Sequence, residues 1–578
     1  MADPLREPGF LSEHQLRAVY APGDLFLTAC PGSGKTRAAG VRVARLAQDG
    51  LRAAACSYTN VGVEQIRRVV DRDLRQTLDP RHFVGTLHRF LLRFVLYPFG
   101  HLVTGSPSTP RLISDEAIGE DVIFNRDPRI RLPLYRFRFR PDGSLIVRST
   151  PARFRFDAET ATRLGQADAL RLKTRMARGG ILSFDDAMYW SLRVLEEHQE
   201  VARAVAARFD ELLVDEAQDT SELQLACLQR LSATGALRSL VLVGDLEQSI
   251  SAYTGASRTG CESLAAARGL SSMEFTENHR SSQRICDVAV HFCSRHTADT
   301  AVGRDRGCEI EPELFLYPAD DPPSSVEYFG QRLRELDENP VEAAVLARRN
   351  DLVDELNRTT PTVEVKPRPL AIGRAVSAFR GGGTVGRRQL EAIDRIIAFC
   401  AWDVSDITEL EPEARWAIRQ GTMELLRAAP DLTLDLRSFI RGCATALGAV
   451  VECLTDEPAH APGRVLTSAQ KQEDHVAVDV LVVPAGELRA QTVHDVKGES
   501  RSAVLVVVDR LRSRRHGAQS ALWSRPLAGE TVPEEDAEEL RIAFVALSRA
   551  ERYCLVALPD DSGAEVISAF EDSGFRRR

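Results

Sequence analysis

Short runs of consecutive apolar residues alternate along most of the chain with stretches whose apolar positions recur at helical spacing. The runs at Asp24 to Ala29, Glu211 to Val214, Ser239 to Val243, Ala343 to Leu346, Ala503 to Val508 and Tyr553 to Leu558 each predict a strand buried on both faces. The stretch AAGVRVARLAQ, following CPGSGKTR, predicts an amphipathic helix. Apolar strands separated by helices predict an α/β fold with parallel sheets covered on both faces. Two intervals break this rhythm. The first, from about 91 to 182, contains LYRFRFRPDGSLIVRST, which predicts a β-hairpin turning at Pro141-Asp142-Gly143. Its alternation would place Tyr135, Phe137 and Phe139 on a packed face and leave Arg136, Arg138 and Arg140 free to meet a nucleic-acid backbone or to guard a strand edge. The second, from about 371 to 491, is mostly helical, with Arg388 to Ala401 and Glu411 to Ala429 its clearest pieces. Both read as insertions into two core domains.

Composition sharpens this only in part. A chain of 578 residues exceeds what one core serves and predicts three or four domains. No run approaches the ~20 apolar residues of a membrane span, and MADPLREPGF lacks the apolar centre of a signal peptide. The eleven cysteines include no CxxC pair, so reduced buried thiols and a cytoplasmic location without a membrane partner are expected. With a net charge of −9, any contact with nucleic acid must use a local basic channel.

Chemistry enters at Ala29-Cys30-Pro31-Gly32-Ser33-Gly34-Lys35-Thr36, which departs from GxxxxGK[ST] only at its first position. Between a strand and a helix, such a loop wraps phosphates with backbone N–H groups, sets Lys35 on the β- and γ-phosphates of ATP and gives Thr36 to Mg²⁺. At LLVDEAQD two acids end a buried strand, where a doubly wound sheet opens its crevice. Asp215 there would hold the magnesium and Glu216 would polarise water.

VDEAQD is followed in order by VGDLEQSI, ENHRSSQRI, TVHDVKGES and LRIAFVALSRA. This series resembles the motif set of the UvrD/Rep/PcrA superfamily 1 helicases, running 3′-to-5′ on single-stranded DNA. The resemblance implies two RecA-like P-loop NTPase cores, each with an inserted, largely helical subdomain. The first core would be 1–90 and 183–275 around the insertion 91–182; the second would be 276–370 and 492–578 around 371–491. It further implies that Gln15 reads the adenine edge, Gln248 senses the γ-phosphate, Arg280 and Arg549 reach the transferred phosphate, and Glu499 meets the ribose. Tyr58, Thr59, Asn60, Thr86, His88, Tyr253, Thr492 and His494 match the family's strand-contacting positions.

The match also departs from the family. His279 stands where an aromatic shelf for adenine is usual, and Ser251 and Thr254 replace a second base platform and an arginine. The chain ends soon after Arg549, with no room there for a nuclease domain. These features fit a compact motor acting at single-strand or junction DNA in repair, recombination or defence. They equally fit a helicase-like ATPase that regulates a partner nuclease in an anti-phage system of the Gabija kind.

Overall fold

The computed structural model describes residues 11–113, 118–125, 127, 129–150, 154–250, 258–295, 297–357, 367–380, 385, 387–402, 412–455, 466, 476–477, 488–510, 512–513 and 517–578. The chain divides into one compact unit of Met1–Leu352 with Gln491–Arg578, and a second of Val353–Ala490.

The first unit holds two parallel sheets. In one, the strand order is Ser271–Phe275, Leu25–Ala29, Ser239–Gly244, Glu211–Asp215, Ala53–Ser57 and Phe83–Thr86, and every neighbouring pair is parallel. Period-two alternation divides their side chains between the faces. Phe26, Ala54, Leu212 and Leu242 join one apolar cluster, while Leu25, Leu27, Leu213 and Val241 join another. In the other sheet, Ala343–Ala347, Arg501–Val507, Ala550–Pro559, Glu313–Tyr317 and Arg576–Arg577 run side by side and parallel. Leu346, Val504, Val506 and Val556 lie at its core. The fold is therefore the doubly wound α/β arrangement of two RecA-like cores.

All six apolar runs identified in the sequence fall on observed strands. The strands Ala53–Ser57, Phe83–Thr86, Ser271–Phe275 and Glu313–Tyr317 were not expected from the sequence pattern. Ala53–Ser57 is buried throughout, but its AAACS side chains are too small to give an apolar signal. Ser271–Phe275 is a largely exposed edge strand.

The first insertion mixes short strand pairs with the 21-residue helix Ala158–Arg178, N-capped by Asp157. The expected hairpin forms, with Phe137–Phe139 antiparallel to Leu145–Val147. Gly143 adopts φ +84° in the turn, where a side chain would be strained. Phe137 and Phe139 are buried as expected. The arginine face differs from expectation. Tyr135 and Arg136 belong to the 3-10 turn Leu134–Arg136, so strand alternation starts only at Phe137. Arg138 is ion-paired with Asp185, Arg136 donates from Nη1 to the Ser149 carbonyl at 3.3 Å, and Arg140 is exposed. A buried sheet face beside an acidic helix start captures a cation that strand pattern alone leaves free.

The second unit contains the helices Pro367–Arg380, Arg387–Trp402, Pro412–Ala428 and Leu436–Thr455 around an apolar core of Ile393, Ile397, Leu425, Phe439 and Leu447. Leu436–Thr455 is long and apolar enough to cross a membrane by length and composition. It carries Arg437, Arg441 and Glu452 and buries Leu436, Phe439, Ile440, Cys443, Leu447, Val450 and Val451 in that core.

Candidate nucleotide site and strand track

The parallel register brings Ala29, Gly244, Asp215, Ser57 and Thr86 to one edge of the first sheet, the C-terminal edge where such sheets bind ligands. At its centre the chain leaves Leu25–Ala29 and turns through Cys30 to Gly34 into the helix Lys35–Gln48. Cys30 N–H donates to the Phe275 carbonyl at 3.0 Å, and its thiol lies 3.5 Å from the Glu277 carbonyl. Pro31 and Ser33 are buried. Gly32 and Gly34 have φ +70° and +75°. A Cβ at Gly32 would stand 2.5 Å from Arg280 Cβ, and one at Gly34 would stand 2.5 Å from Gln15 Nε2. Both glycines are required by backbone sign and by space.

Gln15 sits in a capping box on the helix Glu13–Tyr20. Its Oε1 accepts from Ser12 N–H at 2.9 Å, and its Nε2 donates to the Ser33 carbonyl at 2.7 Å. Thr36 Oγ1 donates to Asp215 Oδ2 at 3.0 Å. Lys35 Nζ lies 3.5 Å from Glu216 Oε1. Glu216 holds a left-handed backbone at φ +55°, a strained placement for a side-chain-bearing residue, and receives Gln218 Nε2 at 2.5 Å.

Burial sets the charges here, and neighbours then redirect them. Burial alone would lower Lys35, but Glu216, Asp245 and Asp215 together raise it. Burial would raise Glu216, yet Lys35 and Lys497 hold it below the usual carboxylate range. Asp215 is pushed up, first by burial and then by the charge of Glu216. One Asp215 oxygen and the Ser33 hydroxyl are buried without a partner among the described residues. A hydroxyl, a carboxylate and an ammonium around a glycine turn at a helix start form a donor set that fits a nucleoside triphosphate with its divalent cation.

The second sheet completes this crevice. Arg549 is 1% exposed and donates from Nη2 to Gln248 Oε1 at 2.9 Å, while Gln248 Nε2 donates to Asp245 Oδ2 at 2.7 Å. Arg280 donates from Nη1 to the Ser548 carbonyl at 3.0 Å. Burial lowers both arginines, Arg549 to about 9, and the charge of Arg280 lowers Arg549 further. Two desolvated cations that oppose each other favour an anion between the sheets. His279 N–H donates to the Gly32 carbonyl at 3.0 Å, leaving its ring half-buried beside Glu277. Glu499 pairs with Arg501, and its carbonyl accepts from Arg549 Nη1 at 3.4 Å.

The strand-contacting candidates lie farther along the same edge or in the second sheet's loop. Tyr58 is 37% exposed. Thr59 caps the helix Asn60–Arg68 by accepting Gly62 N–H at 3.0 Å, so Asn60 opens that helix. Thr86 caps Leu87–Leu91 through Arg89 N–H at 3.2 Å. The His88 ring lies 5.6 Å from that of Phe184, tilted by 49°. Burial lowers His88 to about 4, and its Nε2 has no partner among the described residues. Thr492 Oγ1 donates to Asp495 Oδ2 at 2.7 Å, and His494 Nε2 lies 3.1 Å from the Ile250 carbonyl. Tyr253, Ser251 and Thr254 lie outside the described residues.

Three contributors were not expected from the sequence. Lys497 Nζ donates to both oxygens of Asp219, at 2.7 and 2.6 Å, and to the Gln248 carbonyl at 2.8 Å. Lys497 and Asp219 sit inside the motifs TVHDVKGES and VDEAQD, so their complementary charge was the available signal. Phe184, 50% exposed at the start of a helix, had no periodic signal and is recognised only by its contact with His88.

A family model of the UvrD/REP helicase N-terminal domain matches residues 150–266, the stretch holding VDEAQD and VGDLEQSI. The ATP-dependent DNA helicase UvrD1 of Mycobacterium leprae is 25% identical over 308 residues, 50% of this chain and 40% of that protein. The ATP-dependent DNA helicase PcrA of Leuconostoc citreum is 25% identical over 298 residues, 48% of this chain and 38% of that protein. An ATP-dependent helicase/nuclease of Exiguobacterium sibiricum is 35% identical over 143 residues, 23% of this chain and 12% of that protein. The chain thus spans well under half the length of these relatives. The likeness falls on the residues that build the crevice, and the chain belongs to the UvrD-type family of superfamily 1 helicases.

Proposed function

We propose that the protein is an ATP-hydrolysing motor that moves 3′-to-5′ along single-stranded DNA, loading at single strands or junctions in the cytoplasm. The observation that carries this reading is the grip on Gln248, whose side-chain amide meets Arg549 while its backbone carbonyl meets Lys497. Both cations come from the second sheet, so occupancy of the first sheet's crevice is tied to the approach of the other core. ATP with Mg²⁺ supplies the phosphoanhydride whose cleavage drives the cycle.

The chain's own groups divide the remaining work. Backbone N–H groups of Cys30 to Gly34 and the ammonium of Lys35 bind phosphate, while Thr36 and Asp215 hold the cation. Glu216, kept ionised by Lys35 and Lys497, takes a proton from water at its carboxylate. Gln248, Arg280 and Arg549 meet the charge that develops on phosphate. Gln15 retains one amide hydrogen and one lone pair for a purine edge. His279 offers a flat ring to the base, and Glu499 a carboxylate to the sugar. Tyr58, Phe184 and Tyr253 would stack bases, while Thr59, Asn60, Thr86, His88, Thr492 and His494 would hold backbone without reading sequence. The two moving halves would be 1–90 with 183–275 and 276–370 with 492–578.

A second reading, a helicase-like ATPase governing a partner nuclease in antiviral defence, draws support from the similarity to the helicase/nuclease of Exiguobacterium sibiricum. Co-purification of a nuclease whose cutting depends on ATP would favour it. The deciding measurement for the motor is ATPase activity with and without oligo-dT. Strong stimulation is expected; equal rates would sink the motor reading.

A further inference from the structure

The Arg-rich hairpin does not present a free cationic face, and its contacts lead elsewhere. The helix Phe184–Glu197 starts at Ser183, whose hydroxyl accepts the Asp186 N–H at 3.0 Å. Three consecutive residues then point to three partners. The Phe184 ring lies against His88 in the strand track, Asp185 pairs with Arg138 of the hairpin, and Asp186 pairs with Lys173 of the helix Ala158–Arg178. Both Asp186 oxygens receive Lys173 Nζ, at 2.7 and 2.9 Å, and the two residues are 4% and 3% exposed. Lys173 also lies over the Phe139 ring, 5.5 Å from its centroid. Phe139 in turn stacks on Tyr189, with ring centres 3.8 Å apart and planes 6° from parallel. One turn of helix is therefore gripped from two sides by the first insertion.

Buried ion pairs of this kind contribute little net stability, because desolvation offsets their attraction. Their chief physical return is orientation, since each pair accepts only one geometry. The residue whose orientation matters here is Phe184, half exposed and aimed by the adjoining first turn and by His88. We propose that the Arg138–Asp185 and Lys173–Asp186 pairs are positioning contacts that hold the Phe184 ring in the strand track, so that the hairpin acts on DNA through Phe184 rather than by gripping phosphate. This rests on the reading of the protein as a single-strand motor. It differs from direct phosphate contact in one consequence: the effect of the hairpin arginine must vanish once the ring is gone.

The test measures ATPase rate against oligo-dT concentration for wild type, Arg138→Gln, Arg138→Lys, Asp185→Asn, Phe184→Ala and Arg138→Gln with Phe184→Ala. Arg138→Gln and Asp185→Asn should each raise the DNA KM about fivefold, within the range of coupling for residues in one network. Their kcat at saturating DNA and their DNA-independent rate should stay at wild-type values, and Arg138→Lys should recover most of the lost affinity. Phe184→Ala should raise KM about tenfold, and adding Arg138→Gln to it should change nothing further. An additive effect in the double variant would overturn the proposal in favour of a direct phosphate contact, as would an unchanged KM in Arg138→Gln. Wild-type KM in Phe184→Ala would overturn both the proposal and the strand-track role of that ring. Absence of stimulation in the wild type would overturn the motor reading itself, a result distinguishable from either.

Discussion

The nucleotide crevice and the strand track leave the same sheet edge but are wired in opposite ways. In the crevice, polar side chains hold one another across two sheets: Thr36 on Asp215, Lys35 beside Glu216, Gln248 between Asp245 and Arg549, and Lys497 on Asp219. Along the track, Thr59 and Thr86 cap the starts of their own helices, while Tyr58 and Phe184 turn rings outward. Charge that develops during a reaction is best met by groups fixed beforehand. A strand that must be held and released at any sequence is better served by open ring faces and hydroxyls. The two regions therefore differ in what a single substitution should do: catastrophic in the crevice, graded along the track.

The largest effect expected is at the phosphate loop. Lys35→Ala should lower ATP turnover at least about 10²-fold, because it removes a buried cation aimed at phosphate. Glu216→Gln should lose hydrolysis as fully while still binding a fluorescent ATP analogue, since the amide keeps shape but cannot take a proton. Near-normal turnover in Glu216→Gln would break the comparison by showing that this acid is not fixed for chemistry.

Next comes the contact between cores. Arg549→Lys keeps the charge but loses the planar fork that spans the Val545 carbonyl and Gln248. DNA-stimulated kcat should fall about 10³-fold, the scale of an arginine that meets transferred phosphate. Oligo-dT affinity without nucleotide should remain within about twofold, as for an independent site. A parallel loss of DNA affinity would mean that crevice and track are not separately wired.

This division also explains what the sequence disclosed. Residues of the crevice lie in short contiguous segments that end buried strands, so Lys35, Thr36, Asp215, Glu216 and Gln248 are legible from apolar runs, glycines and adjacent acids. Arg280 and Arg549 needed motif order, because an arginine carries no local sign of burial. The track is assembled by tertiary contacts between residues as distant as His88 and Phe184, and no spacing rule joins them. The hairpin was read correctly for Phe137 and Phe139, whose burial follows strand alternation. It was misread for Arg138, whose partner Asp185 lies 47 positions away. Small side chains hid the strand Ala53–Ser57 for the opposite reason: complete burial without bulk.

A moderate effect should follow from opening a platform in the track. Tyr58→Ala should weaken oligo-dT binding about tenfold, the value of one base stacked on an aromatic ring. ATP affinity should not change. Binding by wild type should fall steeply as salt rises and should not discriminate among oligonucleotide sequences, because its polar groups address the backbone. A selective, salt-insensitive footprint would show that the track reads bases and is as specifically built as the crevice.

The smallest effect concerns His88, where the track does bury one titratable group. Its folded-state pKa is pushed down to about 4 by burial, against about 6.5 for an exposed histidine. The unfolded chain therefore takes up the proton first as pH falls. The stability tied to neutral His88 is fully present above about pH 6.5 and drains away as pH drops towards 4, by an amount on the order of 2 kcal/mol. At pH 7 the ring is uncharged, so it can reach a phosphate only as a neutral N–H donor. His88→Gln should remove this share of the acid sensitivity. The measurement is the urea midpoint of wild type and variant at pH 7 and pH 5, where the wild type should lose more between the two values than the variant. Equal losses would mean that His88 titrates as an exposed group, and that the track is open to water even at its most buried position.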